Sequence, residues 1–504
     1  MSEATVTTVD NPVLVVGAGP VGLVAACELA RRGVPVRVID RSRTPVAQSK
    51  AIIVWPRTLE LLAGLGIADE MVAAGHQLDG VRFHSNGSVL GSVTVSQLPD
   101  SRYNHVLMLP QWETERFLQA RYAELGGVIE WGAELTDLSQ DDDGVTVTLA
   151  TKDGPVEKAV VSWVVGADGA HSTVRKLVGI EYTVHTPNMT FAIADAPVAG
   201  PVDQRYLHYC YSAKGAIGVG PLGDGVFRFA VNVKDGQQPD RELFQAALND
   251  RAGGMGTVGE PKWSALFQVR CATADRFRAG RVFLAGDAAH VVSPAGGQGL
   301  NTGIHDAVNL GWKLAGVVNG QLRERILDSY HEERHEAVRR VSAVTDKQTR
   351  WGLITDPAKV LVRDLLARAA ALTGVLQRLA TPLFCQTDLH YGPALAWWKL
   401  LRYPAIRVGG RLPYLADECG ASPLPTLVLS PGAENVPATL PYTLPVKQLP
   451  AGRLASLLGP AKALLVRPDG HILAVAPADR PEALVRALRP VLTDGATILK
   501  GRTR

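Results

Sequence analysis

A short apolar run near the amino terminus is followed at once by closely spaced glycines and then by a helix pattern. The apolar run is Val13–Val16, and the turn after it contains Gly17, Gly19, Pro20, Val21 and Gly22. An apolar strand, a GxGxxG turn and a helix together predict a parallel α/β unit that binds a dinucleotide. The first glycine makes the turn, the second admits a pyrophosphate, and the third lets the helix pack on the strand.

An acidic residue ends the second strand pattern of this unit. The strand Val34–Ile39 is followed by Asp40 and Arg41, and a carboxylate at this place can accept hydrogen bonds from a ribose. We assign Arg41 to the same site. Lys50 and Arg57 can neutralise a pyrophosphate, although charged residues on a solvated surface explain them equally well. The pattern does not by itself distinguish NAD from FAD.

The segment Arg281–Gly303 has the composition expected around a large polar ring. An apolar strand, Val282–Ala285, stops at Asp287, and a Gly-rich turn then leads into a helix pattern near Asn301. The Asp can bind sugar-like hydroxyls, bare glycine backbone can approach a ring, and the helix start supplies unpaired N–H groups with a partial positive charge. We interpret this segment as the seat of a flavin ring. Its predicted contacts are Asp287, Pro294, Gly297, Gly299, Leu300 and Asn301.

Two further polar residues follow strand patterns in the first third of the chain. Gln111 precedes a predicted helix, where its amide can reach a ligand. Asp168 follows a strand end and has glycines on both sides, in the motif GADGAHSTVR. We interpret Asp168 as a second acid at the cofactor. An Asx-turn or a helix cap is the alternative.

Residues 180–275 change in character from helix periods to alternating, β-branched patterns. Three segments, Arg205–Tyr211, Ala216–Gly220 and Val226–Val233, predict antiparallel strands that form one wall of a ligand pocket. On the first of them, Tyr209 and Tyr211 share one face and His208 lies on the other, and the pattern does not say which face meets the ligand. His208 is a candidate base, with a core or surface histidine as the alternative.

The last third of the chain divides into a helical part and a separate tail. Helix patterns run from Thr302 to about Leu379. A Pro-rich linker leads into a small α/β domain, residues 415–504, with a hairpin of Ala463–Val466 and Ile472–Val475. The residues Arg467-Pro468-Asp469-Gly470 between the two strands suit a type I turn.

Composition and charge exclude several classes of function. The length of 504 residues is typical of about three domains, and 52 Lys and Arg against 49 Asp and Glu give a formal charge of +3. This charge is too small to favour nucleic acid or a membrane surface as a partner. The five cysteines are scattered, without CxxC or metal-ligand spacing, and no leader pattern is visible, so we expect a cytoplasmic protein without a metal.

Three separated motifs occur together: GAGPVG at 17–22, GADGAHSTVR at 166–175 and GDAAHVVSPAGGQGLNTG at 286–303. In this combination the chain resembles the FAD-dependent aromatic hydroxylases of the p-hydroxybenzoate hydroxylase type, the class A flavoprotein monooxygenases. The tail, with LVRPDGHI at 465–472, is similar to the thioredoxin-like domain of the phenol hydroxylase and aromatic polyketide hydroxylase branch. That domain normally lacks redox cysteines, and this tail contains only Cys419.

The resemblance implies an α/β fold with three parts. A Rossmann-like FAD-binding domain would comprise residues 1–179 and 276–400, a substrate-binding antiparallel sheet would be inserted at 180–275, and the thioredoxin-like domain would follow at 415–504. The resemblance places the FAD pyrophosphate at the GAGPVG turn, the adenosine ribose at Asp40 and the ribityl chain near Gln111 and Asp287. It links Asp168 to both FAD and NADPH. Family members often have Arg where this chain has Lys50, and Lys lacks the planar fork of Arg.

The resemblance also implies the chemistry. NADPH or NADH would reduce FAD, O2 would add at the flavin C4a position, and the resulting hydroperoxide would hydroxylate a phenolic or polycyclic polyketide-like substrate, as in antibiotic biosynthesis. The flavin performs the reaction, so no catalytic side chain is required beyond the weak candidate His208. Baeyer–Villiger oxygenation of a ketone or quinone and a non-catalytic flavoprotein that binds an aromatic ligand are the alternatives. A homo-oligomer is compatible with all three.

Overall fold

The structure is a computed structural model that describes most of the chain. The described residues are 11–45, 51–98, 100–151, 154–186, 189–234, 236–352, 354–392, 406–413, 422–449 and 453–493. The predicted contact Lys50 and the single tail cysteine, Cys419, lie outside these ranges.

A six-stranded sheet forms the centre of the molecule and brings the three sequence motifs together. Its strands are, in spatial order, Arg278–Ala279, Val282–Leu284, Trp163–Gly166, Val13–Val16, Val36–Asp40 and Ile129–Trp131. All neighbouring pairs are parallel except the outermost one at Arg278–Ala279. Parallel strands end at the same edge of a sheet, and each of the three central strands leads directly into one of the glycine motifs.

Helices cover this sheet, which explains why its inner strands Val13–Val16, Trp163–Gly166 and Val282–Leu284 are continuously apolar and buried. The α-helices described within residues 11–179 are Pro20–Ala30, Pro56–Ala63, Ala68–Ala74, Gln111–Glu124 and Thr173–Leu177. The long helix Gly299–Val318, called the flavin helix below, packs on Pro20–Ala30. Their contact is close: a Cβ at Gly311 would lie 2.5 Å from Cβ of Glu28.

Three small sheets surround the centre. Their strands are Ala133–Gln140, Val145–Thr151 and Glu157–Val161 in one sheet, Ile53–Val54, Val106–Met108 and His76–Leu78 in another, and Tyr182–Val184, Ala272–Ala274 and His290–Val291 in the third. From the alternating pattern of Val145–Leu149 and the apolar run Val160–Val164, the sequence predicts a hairpin of these two segments. In the structure the partner strand ends at Val161, and the chain then enters the parallel sheet at Trp163, because a continuous apolar run does not show where one strand ends and the next begins.

An eight-stranded sheet stands beside the parallel sheet. It contains strands from residues 180–275, as predicted, and two strands from outside that interval. Its strands are, in order, Thr257–Val258, Met189–Ala199, Val226–Val233, Gly215–Gly223, Tyr206–Ser212, Gly80–Ser85 and Ser88–Thr94, with Trp263–Val269 paired to Met189–Ala199. The hairpin 80–94 comes from the interval predicted for the FAD-binding domain and joins through a parallel pairing with Tyr206–Ser212. Helix Arg241–Ala252 packs on one face of this sheet.

Three helices follow the flavin helix and cover the other face of the large sheet. They are Asp328–Gly352, Pro357–Leu372 and Val375–Phe384. The last is tied to the sheet edge, because the side chain of Gln377 bonds both the N–H (2.7 Å) and the carbonyl (2.6 Å) of Thr94. None of the helices in the described ranges is long and apolar enough to cross a membrane.

The tail contains a four-stranded sheet of its own. The strand order is Val446–Gln448, Thr426–Leu429, Lys462–Val466 and Ile472–Pro477, with helices Arg453–Leu458 and Glu482–Leu488. The first pair is parallel and the other two pairs are antiparallel. The predicted hairpin is present, and its turn closes with a 2.8 Å hydrogen bond from Gly470 N–H to the Arg467 carbonyl.

Candidate cofactor and substrate site

The three glycine motifs touch one another at the edge of the parallel sheet. A Cβ at Gly17, whose φ is +106°, would lie 2.4 Å from the carbonyl oxygen of Ala167. Val21 packs on two other glycines: a Cβ at Gly286 or at Gly303 would come within 2.8 Å or 2.6 Å of its Cγ2. Side chains at these glycines would separate the motifs, so the bare backbone creates a single site from three parts of the chain.

The GAGPVG turn has one glycine that faces open space. Apart from its chain neighbours, no atom of the described residues lies within 4 Å of a Cβ built on Gly19, whereas a Cβ on Gly22 would lie 1.9 Å from the Gly17 carbonyl oxygen. Gly19 also precedes the helix Pro20–Ala30 as its N-cap, without a side-chain cap bond. Open space in front of a helix N-terminus is the environment that a pyrophosphate requires. The turn therefore fits the phosphate part of a dinucleotide.

Asp40 lies next to this turn and supports it. Its carboxylate accepts hydrogen bonds from the backbone N–H of Ala18 (2.8 Å) and of Ser42 (2.7 Å). The side chain is only half-buried, and Arg41 is exposed beside it. The structure thus places Asp40 and Arg41 at the end of the second strand, where the sequence predicts the ribose.

Gln111 is the first residue of the helix Gln111–Glu124, whereas the sequence predicts it just before the helix. Its backbone N–H donates to the Ala51 carbonyl at 2.9 Å, and its amide nitrogen donates to Oε1 of Glu115 at 2.8 Å. The amide oxygen remains the group that can turn toward a ribityl chain.

Asp168 is bound within its own turn. One carboxylate oxygen accepts the hydroxyl of Ser172 (2.5 Å), and the other accepts the backbone N–H groups of Thr173 (2.7 Å) and Val174 (3.1 Å). These are the unpaired donors at the start of the helix Thr173–Leu177. This geometry matches the alternative of a helix cap.

Asp287 projects from an otherwise buried turn. Its neighbours Gly286 and Ala288 are buried, whereas Asp287 is exposed at the same sheet edge as Gly19. The turn, residues 286–290, follows the strand Val282–Leu284 and is called the Asp287 turn below. Asp306, on the flavin helix, accepts the Gly286 N–H at 3.0 Å and so holds the turn in place.

The Gly-rich turn before the flavin helix is held by Asn301. The Asn301 side chain accepts the Trp55 N–H (2.9 Å) and donates to the carbonyls of Ile53 (2.9 Å) and Gly297 (2.8 Å). Its side chain is therefore structural, and the backbone is the part available to a ligand. The half-buried residues at this helix start are Pro294, Gly297, Gly299 and Leu300.

His208 lies in the core of the large sheet. It has 0% exposure, Nδ1 lies 3.0 Å from Nε2 of His84, and Nε2 lies 2.8 Å from the Asp203 carbonyl oxygen. Burial lowers the pKa of His208 below its usual range. With both ring nitrogens engaged and no path to a ligand, this geometry matches the alternative of a core histidine.

The opposite face of the same strand meets the ligand space. Tyr209 stacks on Phe83 with ring centroids 6.0 Å apart, and Phe83 lies 6.1 Å from Phe384. Trp55 adjoins Phe384 at 5.5 Å and donates its indole N–H to the Gly296 carbonyl at 3.0 Å. An aromatic cluster therefore connects the large sheet to the Gly-rich turn.

A cavity of about 500 Å³ opens beside this cluster. It lies between the large sheet, the start of the flavin helix and the three helices that follow. Its predominantly apolar lining includes Phe83, Tyr211, Val344, Trp351, Leu379 and Phe384, and Gln298 and Thr302 mark the end nearest the flavin helix. Burial raises the pKa of Tyr211 to about 12, so its hydroxyl is neutral at ordinary pH and can donate a hydrogen bond.

Three polar residues behind the Asp287 turn, the buried Asp306 and Arg334 and the half-buried Tyr391, were not predicted from the sequence. Asp306, Arg334 and Tyr391 form one hydrogen-bonded chain there. The sequence does contain one indication of them: Asp306 is an acid within the apolar stretch GIHDAVNLGW at 303–312. A buried carboxylate requires partners, so such a residue predicts a polar network around it.

A family model described as an FAD binding domain matches residues 10–345 of this chain. The structure fits this cofactor, because the turn at Gly19 and the helix start at Gly299 both have room beside bare backbone.

Relatives and solved structures extend the match. The 6-methylpretetramide 4-monooxygenase of Streptomyces rimosus is 40% identical over 73% of this chain, which corresponds to 65% of that protein, so the chain spans slightly less than two thirds of this relative. The 12-dehydrotetracycline 5-monooxygenase/anhydrotetracycline 6-monooxygenase of Streptomyces rimosus subsp. rimosus is 35% identical, with 95% of this chain and 98% of that protein covered.

Among solved structures, the Diels-Alderase PyrE3 from the biosynthetic pathway of pyrroindomycins aligns with a TM-score of 0.75 and 30% identity, covering 96% of this chain and 99% of that one. The chain therefore belongs to the FAD-binding-domain family that includes the aromatic polyketide and phenol monooxygenases.

Proposed function

We propose that this protein is an FAD-dependent monooxygenase that consumes NAD(P)H and O2 and hydroxylates a phenolic or polycyclic aromatic small molecule. The observation that carries the proposal is the apolar cavity of about 500 Å³ next to the start of the flavin helix. Ligand pockets are typically roughly 300–1,000 Å³ and mostly apolar, with a few polar groups that fix orientation. The cavity has the size and lining that a flat ligand of several rings needs.

The residues of the cofactor site each have a proposed task. Gly17, Gly19 and Gly22 would admit the pyrophosphate, Asp40 the adenosine ribose, and Asp287 the ribityl hydroxyls. The backbone at the start of the flavin helix would face the ring and favour negative charge on it. When bound, FAD supplies the redox chemistry and the activation of O2.

The cavity residues would bind, orient and exclude water. Phe83, Trp351 and Phe384 offer aromatic faces to a planar ligand. The Tyr211 hydroxyl offers a hydrogen bond to a ligand oxygen, and the side chain of Gln348 is its neighbour. Excluding water from this space would protect the oxygen-transfer step.

The strand order of the tail supports a thioredoxin-like domain. Numbered along the chain, its strands lie in the order 2-1-3-4, with strands 1 and 2 parallel. We propose this fold without redox function for the tail. The large antiparallel sheet, extended by the hairpin 80–94, is the proposed substrate-binding domain.

A second candidate function is catalysis of a Diels–Alder reaction, which is supported by the structural neighbour named as a Diels-Alderase. An apolar cavity beside a tightly bound FAD can also hold a reactive ligand in a folded shape without turnover of the flavin. In that case FAD would be structural, and NAD(P)H would not be consumed.

One experiment separates the two candidates. The purified protein is scanned for a flavin absorbance spectrum and then mixed in air with NADPH and, separately, with NADH, in the presence of a panel of phenols and polycyclic quinones. Ligand-stimulated loss of either cofactor, with a product heavier by one oxygen atom, is the result expected of a monooxygenase. A ligand that is converted to an isomer without loss of NADPH or NADH would favour the second candidate.

A variant in the cavity provides the control. Ala380 lines the cavity and is half-buried, so Ala380→Phe adds a ring to the ligand space without touching the glycine motifs. We expect its flavin spectrum to stay unchanged and its affinity for the stimulating ligand to fall at least tenfold. Unchanged affinity would show that the ligand binds elsewhere.

A further inference from the structure

One turn of the C-terminal domain reaches the back of the flavin helix. The turn is Arg467–His471. Its Asp469 carboxylate accepts hydrogen bonds from the Trp312 indole (3.2 Å) and the Asn309 amide (3.3 Å), which both belong to the flavin helix. Arg467 forms a 2.6 Å ion pair with Glu333 on the helix Asp328–Gly352. All of these side chains are buried or nearly so.

Tyr391 lies between this turn and the helix Asp328–Gly352. Its ring packs on the His471 ring with centroids 4.2 Å apart, and the Arg467 guanidinium lies 4.9 Å from its centroid. Its hydroxyl accepts a hydrogen bond from Nη1 of Arg334 at 2.9 Å. Burial raises the pKa of Tyr391, so the hydroxyl remains neutral.

Arg334 connects Tyr391 to the flavin helix. Its Nε donates to Oδ1 of Asp306 at 2.7 Å, and its Nη2 donates to the Thr302 carbonyl at 3.2 Å. Arg334 and Asp306 are 1% and 0% exposed. The planar guanidinium of Arg334 donates to three acceptors in a fixed geometry, and this fixes the position of all three partners.

Asp306 then binds both ends of the Asp287 turn. Its second oxygen accepts the Gly286 N–H at 3.0 Å and lies 2.6 Å from Nε2 of His290. Burial alone would raise the pKa of Asp306, but His290 and Arg334 outweigh burial and hold the pKa below its usual range. The carboxylate is therefore charged, and it holds the turn by charge-assisted bonds.

We propose that the C-terminal domain serves to retain FAD, and that Tyr391 and Arg334 are positioning residues that hold the Asp287 turn through Asp306. The physical reason is that Asp306 bonds both the Gly286 N–H at the start of the turn and the His290 ring at its end, so a shift of this carboxylate would move the backbone that carries Asp287. The proposal rests on the FAD site alone and does not depend on hydroxylation or on the identity of the substrate.

The test removes one hydroxyl from the chain of contacts. Tyr391→Phe keeps the ring that packs on His471 and removes only the hydroxyl that accepts the hydrogen bond from Nη1 of Arg334. Tyr103→Phe is the matched control, because the Tyr103 hydroxyl is likewise hydrogen-bonded to a charged side chain: it donates to the Asp69 carboxylate at 3.0 Å, away from the Asp287 turn. Titration of the full-length apoproteins with FAD should give a dissociation constant raised about tenfold for Tyr391→Phe and unchanged for Tyr103→Phe.

Amide hydrogen exchange of the apoproteins supplies a readout that does not involve FAD. Tyr391→Phe should speed exchange across residues 286–291 while leaving the tail strand Lys462–Val466 protected. Arg467→Lys, which keeps the charge toward Glu333 but loses the planar group over Tyr391, should shift both readouts in the same direction. Wild-type FAD affinity and wild-type exchange in Tyr391→Phe, or equal changes in Tyr391→Phe and Tyr103→Phe, would overturn the proposal.

Discussion

Val21 packs directly on the backbone of Gly286, so closely that a Cβ at Gly286 would lie 2.8 Å from its Cγ2. Val21 belongs to the turn after the first strand, and Gly286 precedes Asp287 in the third motif. This contact sets the distance between the proposed pyrophosphate and ribityl contacts. The pyrophosphate and the ribityl chain, which are adjacent parts of FAD, can therefore be bound at a single edge of the parallel sheet.

Gly19 and Gly22 should respond differently to the same substitution. Gly19 has a φ of −72°, and a Cβ there meets no atom of the described residues beyond its chain neighbours, so the Gly19→Ala apoprotein should stay within about 1 kcal/mol of wild type. Its FAD affinity should fall at least tenfold, because the new methyl group occupies the space of the pyrophosphate. Gly22→Ala would collide with the Gly17 carbonyl at 1.9 Å and should fail to fold. Urea unfolding and FAD titration measure both effects, and wild-type FAD affinity in Gly19→Ala would disprove the phosphate assignment.

Asp287→Ala should lose FAD without loss of the fold. The side chain is exposed, and the turn is held by Asp306 from behind, so its removal leaves the protein core intact. We expect FAD affinity to fall about tenfold or more, because the ribityl hydroxyls would lose their acceptor. The flavin content after purification and the melting temperature of the apoprotein are the measurements. A variant that purifies with a full complement of flavin would show that Asp287 does not bind FAD.

Asp168→Ala should change stability more than cofactor binding. Its carboxylate caps the helix Thr173–Leu177, and loss of such a cap typically costs about 1–2 kcal/mol. Ser172→Ala removes a hydroxyl from the same cap and should give a similar loss, with FAD affinity within threefold of wild type in both variants. A tenfold loss of FAD affinity in Asp168→Ala at unchanged stability would restore the interpretation as a cofactor acid.

His471 should make the free energy of unfolding depend on pH in acid. Burial lowers its pKa to about 4, whereas a histidine in an unfolded chain has a pKa of about 6.5. Between these values the unfolded chain binds a proton that the folded protein does not. The free energy of unfolding is therefore at its full value above pH 6.5. It falls by about 1.4 kcal/mol per pH unit as the pH is lowered from 6.5 to 4.

His471→Phe tests this slope, because Phe keeps a flat ring against Tyr391 and cannot be protonated. Urea titrations between pH 6.5 and 4 should show a shallower loss of stability in the variant, by the slope of one proton. Parallel curves for the two proteins would mean that His471 is protonated in the folded state.

Local patterns were enough to identify the three motifs that meet at one edge of the parallel sheet. The glycine spacing at 17–22, the acid at Asp40, the Gly-Asp pair at 286–287 and the hairpin turn at Arg467–Gly470 depend on backbone conformation over a few residues. Such constraints involve only neighbouring residues in the chain. In the structure the glycine motifs follow the predicted strands, and the hairpin turn closes at the predicted residues. The helix cap by Asp168 shows the limit of this approach, because a strand-ending acid can bind either a ligand or the next helix.

The sequence by itself determined the strand–turn–helix unit at the amino terminus, the glycines that need bare backbone, and membership of the FAD-binding family. Only the tertiary structure decided that the hairpin 80–94 joins the large sheet, that the Tyr209 and Tyr211 face meets the cavity while His208 is buried, and that Asp306, Arg334 and Tyr391 connect the tail to the Asp287 turn. The physical reason is the range of the interactions. A period of two shows that a strand has two faces but not which one is covered, and a buried charge acquires its partners from elements that are far apart in the chain.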